Sequence, residues 1–131
     1  MKIIPLAFES LGTRSMATYV QARNCKILID PGVSLAPSRY GLPPHRLELQ
    51  RMDEHWSRIK KYVKKADVLI LTHYHYDHHE PTETGIYRGK IALIKHPEEK
   101  INLSQKRRAR FFLEMLGTLP EKIEHSDGKE F

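Results

Sequence analysis

The chain has 131 residues, 40% hydrophobic and 29% charged, with a formal net charge of +6 and a pI near 9.5. That length fits one modest domain with a real core, residues 1–131, and no apolar run approaches the roughly 20 residues that cross a bilayer as a helix. The excess of Lys and Arg favours anionic partners, nucleic acid, nucleotides or phosphorylated metabolites among them, although interleaved acids at Glu48, Asp53, Glu54, Glu98, Glu99 and Glu114 spread much of it over solvated helix faces.

The opening Met1 to Glu9 is too short an apolar stretch for a signal peptide and has no small-residue cleavage site, so it reads as a first strand over residues 2–8. A second β-prone run covers 16–22, after a stretch of turn composition from Ser10 to Ser15. A third, Cys25 to Ile29, follows Arg23-Asn24 closely enough to make a hairpin. Cys25 is the single cysteine and reads as a packed thiol, which with the missing signal points to the cytoplasm. Asp30-Pro31-Gly32 ends the third strand, and Pro31 to Pro44 is a long loop of the kind that borders sites.

From about His45 to Ala66, Leu49, Met52, Trp56, Ile59 and Val63 recur at steps of three and four, which predicts one amphipathic helix with Trp56 as a core anchor. The period then changes. Asp67 to Thr72 is a continuous apolar run, read as a strand covered on both faces, and it leads straight into Thr72-His73-Tyr74-His75-Tyr76-Asp77-His78-His79. Lys90 to Lys95 predicts another strand, broken by His96-Pro97. A second helix then carries Phe111, Phe112, Met115 and Leu116, with Ser104 as its N-cap and Gly117 as its stop. Lys106, Arg107, Arg108 and Arg110 form its cationic outer part. The remainder, Leu119 to Phe131, reads as a turn and a short strand around Ile123.

The histidine run carries the chemistry. In an extended segment His73 and His75 fall on the same side, and Asp77 and His78 reach back from the following turn. Neutral imidazoles with a carboxylate suit divalent metals, one or two ions. Zinc leads, and iron, manganese and nickel fit the same donors. The position, at the carboxyl end of a core strand, is where open α/β sheets place their sites.

With His73, His75, Asp77 and His78 spelling HxHxDH, and Asp30-Pro31-Gly32 closing an earlier strand, the chain resembles the metallo-β-lactamase fold superfamily. The opening Phe8 to Met16 and the continuation His79-Glu80-Pro81 resemble an uncharacterised archaeal branch of it. The resemblance implies an α/β fold, the amino-terminal half of an αββα sandwich, with a mixed β-sheet and two main helices. It implies that His73 and His75 bind a first metal, that Asp77 and His78 serve a second, and that Asp77 doubles as a proton carrier. Asp30 then supports the metal loop from behind by hydrogen bonds. The implied activity is hydrolysis of ester, lactone or phosphodiester substrates by a hydroxide held on the metal, whose coordination lowers the pKa of water to about 7.

The sequence departs from that pattern after residue 80. A complete site takes further ligands from downstream strands, and here only His96, His125 and Asp127 remain, none convincingly placed. His79 is left as an extra ligand, a proton shuttle or neither. Two functions follow. One is a metal-dependent hydrolase, or its metal-binding half completed by residues outside this chain. The other is a catalytically inactive cationic module for RNA or a protein partner that keeps the metal loop. A half-sandwich also leaves one sheet face apolar and uncovered, which predicts a homo-oligomer, most simply a dimer.

Overall fold

The structure, a computed structural model, describes residues 1–36 and 40–126. The elements in chain order are β1 (Lys2–Pro5), β2 (Thr13–Arg14), β3 (Thr18–Gln21), β4 (Lys26–Ile29), β5 (Ser34–Leu35), α1 (Arg46–Val63), β6 (Val68–Leu71), β7 (Ile91–Ile94), α2 (Leu103–Leu116) and β8 (Lys122–His125). A short 3₁₀ turn, Thr84–Tyr87, lies between β6 and β7. Six strands form one mixed sheet in the order β1-β3-β4-β6-β7-β8. The first three are an antiparallel meander, and from β4 onward the pairings are parallel, with α1 and α2 among the crossovers. This α/β architecture, a mixed sheet with two helices, matches the predicted half-fold.

Side-chain alternation shows where the layers lie. Tyr19, Leu28, Leu69, Ala92 and Ile123 are paired across five neighbouring strands and share one face. On that face they pack with Ile59 and Val63 of α1 and with Ala109, Phe112 and Leu116 of α2 in one core. Each fully buried Leu, Ile or Phe there contributes about 1.5–3 kcal/mol. In the opposite rows Val20, Ile27, Ile29, Ile70, Ile91 and Leu93 are half-buried, and Val68, between Ile27 and Ile91, is buried. β6 is buried at Val68, Leu69 and Leu71 and half-buried at Ile70. Both helices pack on the same side, so its other face is backed by no further layer among the described residues.

The helices follow their caps. In α1 the His45 ring accepts from the Leu47 amide while Glu48 reaches back to the His45 backbone, a reciprocal capping box. Its predicted stripe sinks gradually, from exposed Leu49 through half-buried Met52 and Trp56 to buried Ile59 and Val63. The N-cap of α2 is Asn102, whose side chain accepts from the Gln105 amide, and not Ser104. Asn is as good a cap as Ser, and it starts the helix two residues sooner. Gly117 ends that helix with φ of +51°.

The segment from Ser10 to Ser15 holds more order than its turn composition suggests. Thr13 and Arg14 pair antiparallel with Leu35 and Ser34, so the long loop after Gly32 begins as a small second sheet. The predicted strands are shorter than their β-prone runs, because pairing stops where β4, β6 and β7 reach the edge that carries the histidine loop. Pro37 to Arg39 of the long loop, and the candidate Asp127, lie outside the described residues.

Candidate metal centre

Parallel strands place their carboxyl ends along one edge, so Asp30 after β4 and Thr72-His73 after β6 become neighbours. The Asp30 carboxylate accepts from the Thr72 amide at 2.8 Å and from its hydroxyl at 2.7 Å. Asp30 itself holds φ of +50°, a left-handed conformation that Asp tolerates better than most residues. Pro31 and Gly32 follow, and Ser15 Oγ donates to the Gly32 carbonyl at 2.6 Å. A methyl group on Gly32 would stand 2.2 Å from the His79 amide nitrogen and 2.3 Å from the His78 carbonyl carbon. The Asp-Pro-Gly turn thus lies backbone to backbone against the end of the histidine loop.

The loop keeps the strand period for its first residues. Tyr74 turns inward, fully buried, with its amide donating to Gln105 Oε1 at 2.7 Å and its hydroxyl to the Lys95 carbonyl. Burial pushes that phenol well above its usual pKa. His73 and His75 turn the other way. The chain then makes one helical turn in which the His75 carbonyl accepts from the His78 and His79 amides at 3.0 and 3.3 Å. This turn folds His78 back towards the first two histidines.

Three imidazoles gather as a result. The His73 and His78 rings are 3.7 Å apart between centroids, and His73 and His75 are 4.8 Å apart. Asp77 Oδ2 is 3.4 Å from His78 Nε2. Nδ1 of His78 lies 2.9 Å from Asp30 Oδ2, close but off the N–H axis, so the contact is an ion pair more than an aligned hydrogen bond. Burial works against a charged His78, but the adjoining Asp30 carboxylate and then Asp77 outweigh it and raise its pKa. His73 moves the other way, lowered first by burial and then by its His78 and His75 neighbours. Among the described residues no group of three or more His, Cys, Asp or Glu already has its donor atoms in metal-ligating geometry.

His79 is apart from this group. Its ring is fully buried, edge-on to Tyr74 at 5.8 Å and to Phe112 at 5.2 Å, and stacked with Tyr76 at 5.6 Å. Nδ1 stands 2.9 Å from the His75 carbonyl, and Nε2 has no hydrogen-bond partner. Burial lowers its pKa, because desolvation disfavours the charged ring. Of the downstream histidines, His96 uses Nδ1 to accept from the Glu98 and Glu99 amides, and its ring is 5.8 Å from that of exposed His125. Gln105, which fixes Tyr74 from α2, carries no signal in the sequence, because a lone helix Gln is ordinarily solvated.

A family model described as the metallo-beta-lactamase superfamily matches residues 12–114, which takes in the Asp30 turn, the histidine loop and most of α2. The chain belongs to the metallo-beta-lactamase superfamily. It is also similar to archaeal proteins named UPF0282. One from Metallosphaera sedula is 55% identical over 135 residues, covering 100% of this chain and 44% of the relative. Another from Korarchaeum cryptofilum is 52% identical over 132 residues, with 100% and 44% covered, and one from Thermococcus kodakarensis is 48% identical over 143 residues, with 100% and 48% covered. The chain spans about half the length of the curated relatives it matches. No solved structure matches it. Among the described residues, no helix of this superfamily member is long and apolar enough to cross a membrane.

Proposed function

We propose that this chain is a metal-dependent hydrolase of the metallo-beta-lactamase superfamily, or its metal-binding half. His73, His75, Asp77 and His78 hold a divalent metal, zinc first, while iron, manganese and nickel suit the same donors. The observation that carries this reading is the gathering of three imidazoles at one strand end, with His78 backed by the buried Asp30 carboxylate. A carboxylate behind a ligating imidazole fixes its ring and raises its basicity. His79 is less suited to ligation because its ring is enclosed by Tyr74, Tyr76 and Phe112.

When bound, such a metal polarises an ester or phosphoryl oxygen and lowers the pKa of water to about 7. The chain's own residues do the rest. Asp30 and Thr72 hold the loop, Asp77 is placed beside His78 to carry a proton, and Tyr74 anchors the loop into the core. Beside Thr72 a groove of about 360 Å³ runs between Ile70, Leu93 and Glu124, of a size for an ester-type or anionic small molecule. The open sheet face next to it supports pairing of two copies, and among the described residues neither downstream histidine, His96 or His125, is gathered with the three imidazoles and Asp77. The isolated 131 residues are accordingly expected to be a poor hydrolase.

Metal analysis of the purified chain, beside its turnover of p-nitrophenyl acetate and bis(p-nitrophenyl) phosphate, is the test. A stoichiometric ion lost on His73→Ala supports the reading. A chain that binds no zinc, cobalt, iron, manganese or nickel, yet binds RNA, favours the second reading, an inactive cationic module. Fast metal-dependent turnover by the monomer would show that the site is complete in these residues.

A further inference from the structure

One face of α2 clasps the histidine loop at three successive positions. Gln105 accepts from the Tyr74 amide at 2.7 Å, the Arg108 guanidinium lies 4.8 Å from the centre of the Tyr76 ring, and Phe112 packs on Tyr74 and His79. Steps of three and four residues keep these side chains on one side of the helix. Of the cations beside Arg108, Lys106 and Arg110 both pair with Glu98, and Arg107 is exposed. Arg108 makes no ion pair with any described carboxylate. Its charge is instead held over Tyr76, which the sequence places between His75 and Asp77.

A guanidinium held over an aromatic ring still has N–H donors for an oxygen ligand, and the contact removes part of the rotamer freedom that an unheld arginine would lose on binding. The Tyr76 ring also stacks with the buried His79 ring at 5.6 Å. A half-buried cation fixed in this way beside a candidate metal loop has the chemistry of a receptor for phosphate or carboxylate oxygens. The geometry points to Arg108, seated on Tyr76, as an anion-recognition residue that selects substrates bearing a phosphate or phosphodiester group. This deepens the proposed hydrolase reading and rests on it for the word substrate, whereas the anion site stands on the helix and loop contacts alone.

The experiment is titration of the full chain with inorganic phosphate against chloride at constant ionic strength, reading the Arg108 Nε–Hε and Tyr76 ring resonances by NMR. Zinc binding is measured separately on the same samples. A saturable shift is expected, weakened at least tenfold in Arg108→Gln, weakened several-fold in Arg108→Lys, which keeps charge without the fork, and unchanged in Arg107→Gln. The zinc-to-protein ratio of Arg108→Gln is expected to equal that of the parent, with unchanged far-UV circular dichroism. A drift that never saturates, or one that Arg107→Gln weakens as much as Arg108→Gln, overturns the anion site even if zinc binds. A saturable Arg108-dependent shift in a chain that takes no zinc upholds the anion site and removes the hydrolase reading.

Discussion

Gly32 and His79 touch through their backbones, with no space between them for even one methyl group. The neighbours are main-chain atoms on both sides, so neither can move aside as a flexible side chain would. Gly32→Ala is expected to lower the stability of the chain by on the order of 2 kcal/mol, as overpacking in rigid surroundings does. Urea denaturation followed by circular dichroism checks this, and an unchanged midpoint would mean that the turn and loop are not in contact.

Asp30→Asn keeps an oxygen for the Thr72 donors but removes the charge facing His78. In the metal-free chain the His78 pKa is expected above the ordinary 6.5 and is expected to fall in the variant, where burial acts without that carboxylate. The sign for stability follows. A folded pKa above the unfolded one gives a contribution that is full below pH 6.5 and fades as the pH rises through the folded value. The stability gap between parent and variant should therefore be wider at pH 5.5 than at pH 9, and histidine NMR titration with denaturation at both pH values measures it. Zinc affinity is expected to drop about 10–100-fold as well.

His75→Ala leaves the core untouched, since that side chain is exposed, while removing one imidazole of the cluster. Most bound metal should be lost with helical content unchanged. Elemental analysis of dialysed protein reads the first, circular dichroism the second; full metal retention would take His75 out of the ligand set.

Ile27, Ile29, Ile70, Ile91 and Leu93 form an apolar tract on the sheet face away from both helices. A face of that character is uncommon on monomers, so sedimentation equilibrium at micromolar concentration is expected to give a dimer. Leu93→Lys, which sets a charge in the middle of the tract, is expected to dissociate it. A single species near 15.3 kDa for the parent would refute the pairing.

The sequence showed the parts of this fold that rest on local pattern. The stripe from Met52 to Val63, the apolar run before Thr72 and the order of the two motifs all appear as read, because burial on one face imposes periodicity and ligand chemistry imposes residue type. Long-range complementarity was less visible. Nothing local distinguishes Gln105 from a solvated glutamine, and Thr13 and Arg14 gain a strand partner only because Ser34 and Leu35 return to them. An apolar run records what a strand needs, and not whether this chain alone provides it.

The triple use of the His75 carbonyl, taken with the grip of Asp30 on Thr72, has a consequence for the order of events in assembly. The protein closes its own loop with main-chain and carboxylate contacts that need no ion. On the proposed metal reading, loading is a step that follows folding, in contrast to small zinc modules whose folding free energy is the binding free energy itself. On that reading a chelator is expected to remove the metal and leave the chain folded, which circular dichroism beside elemental analysis reads.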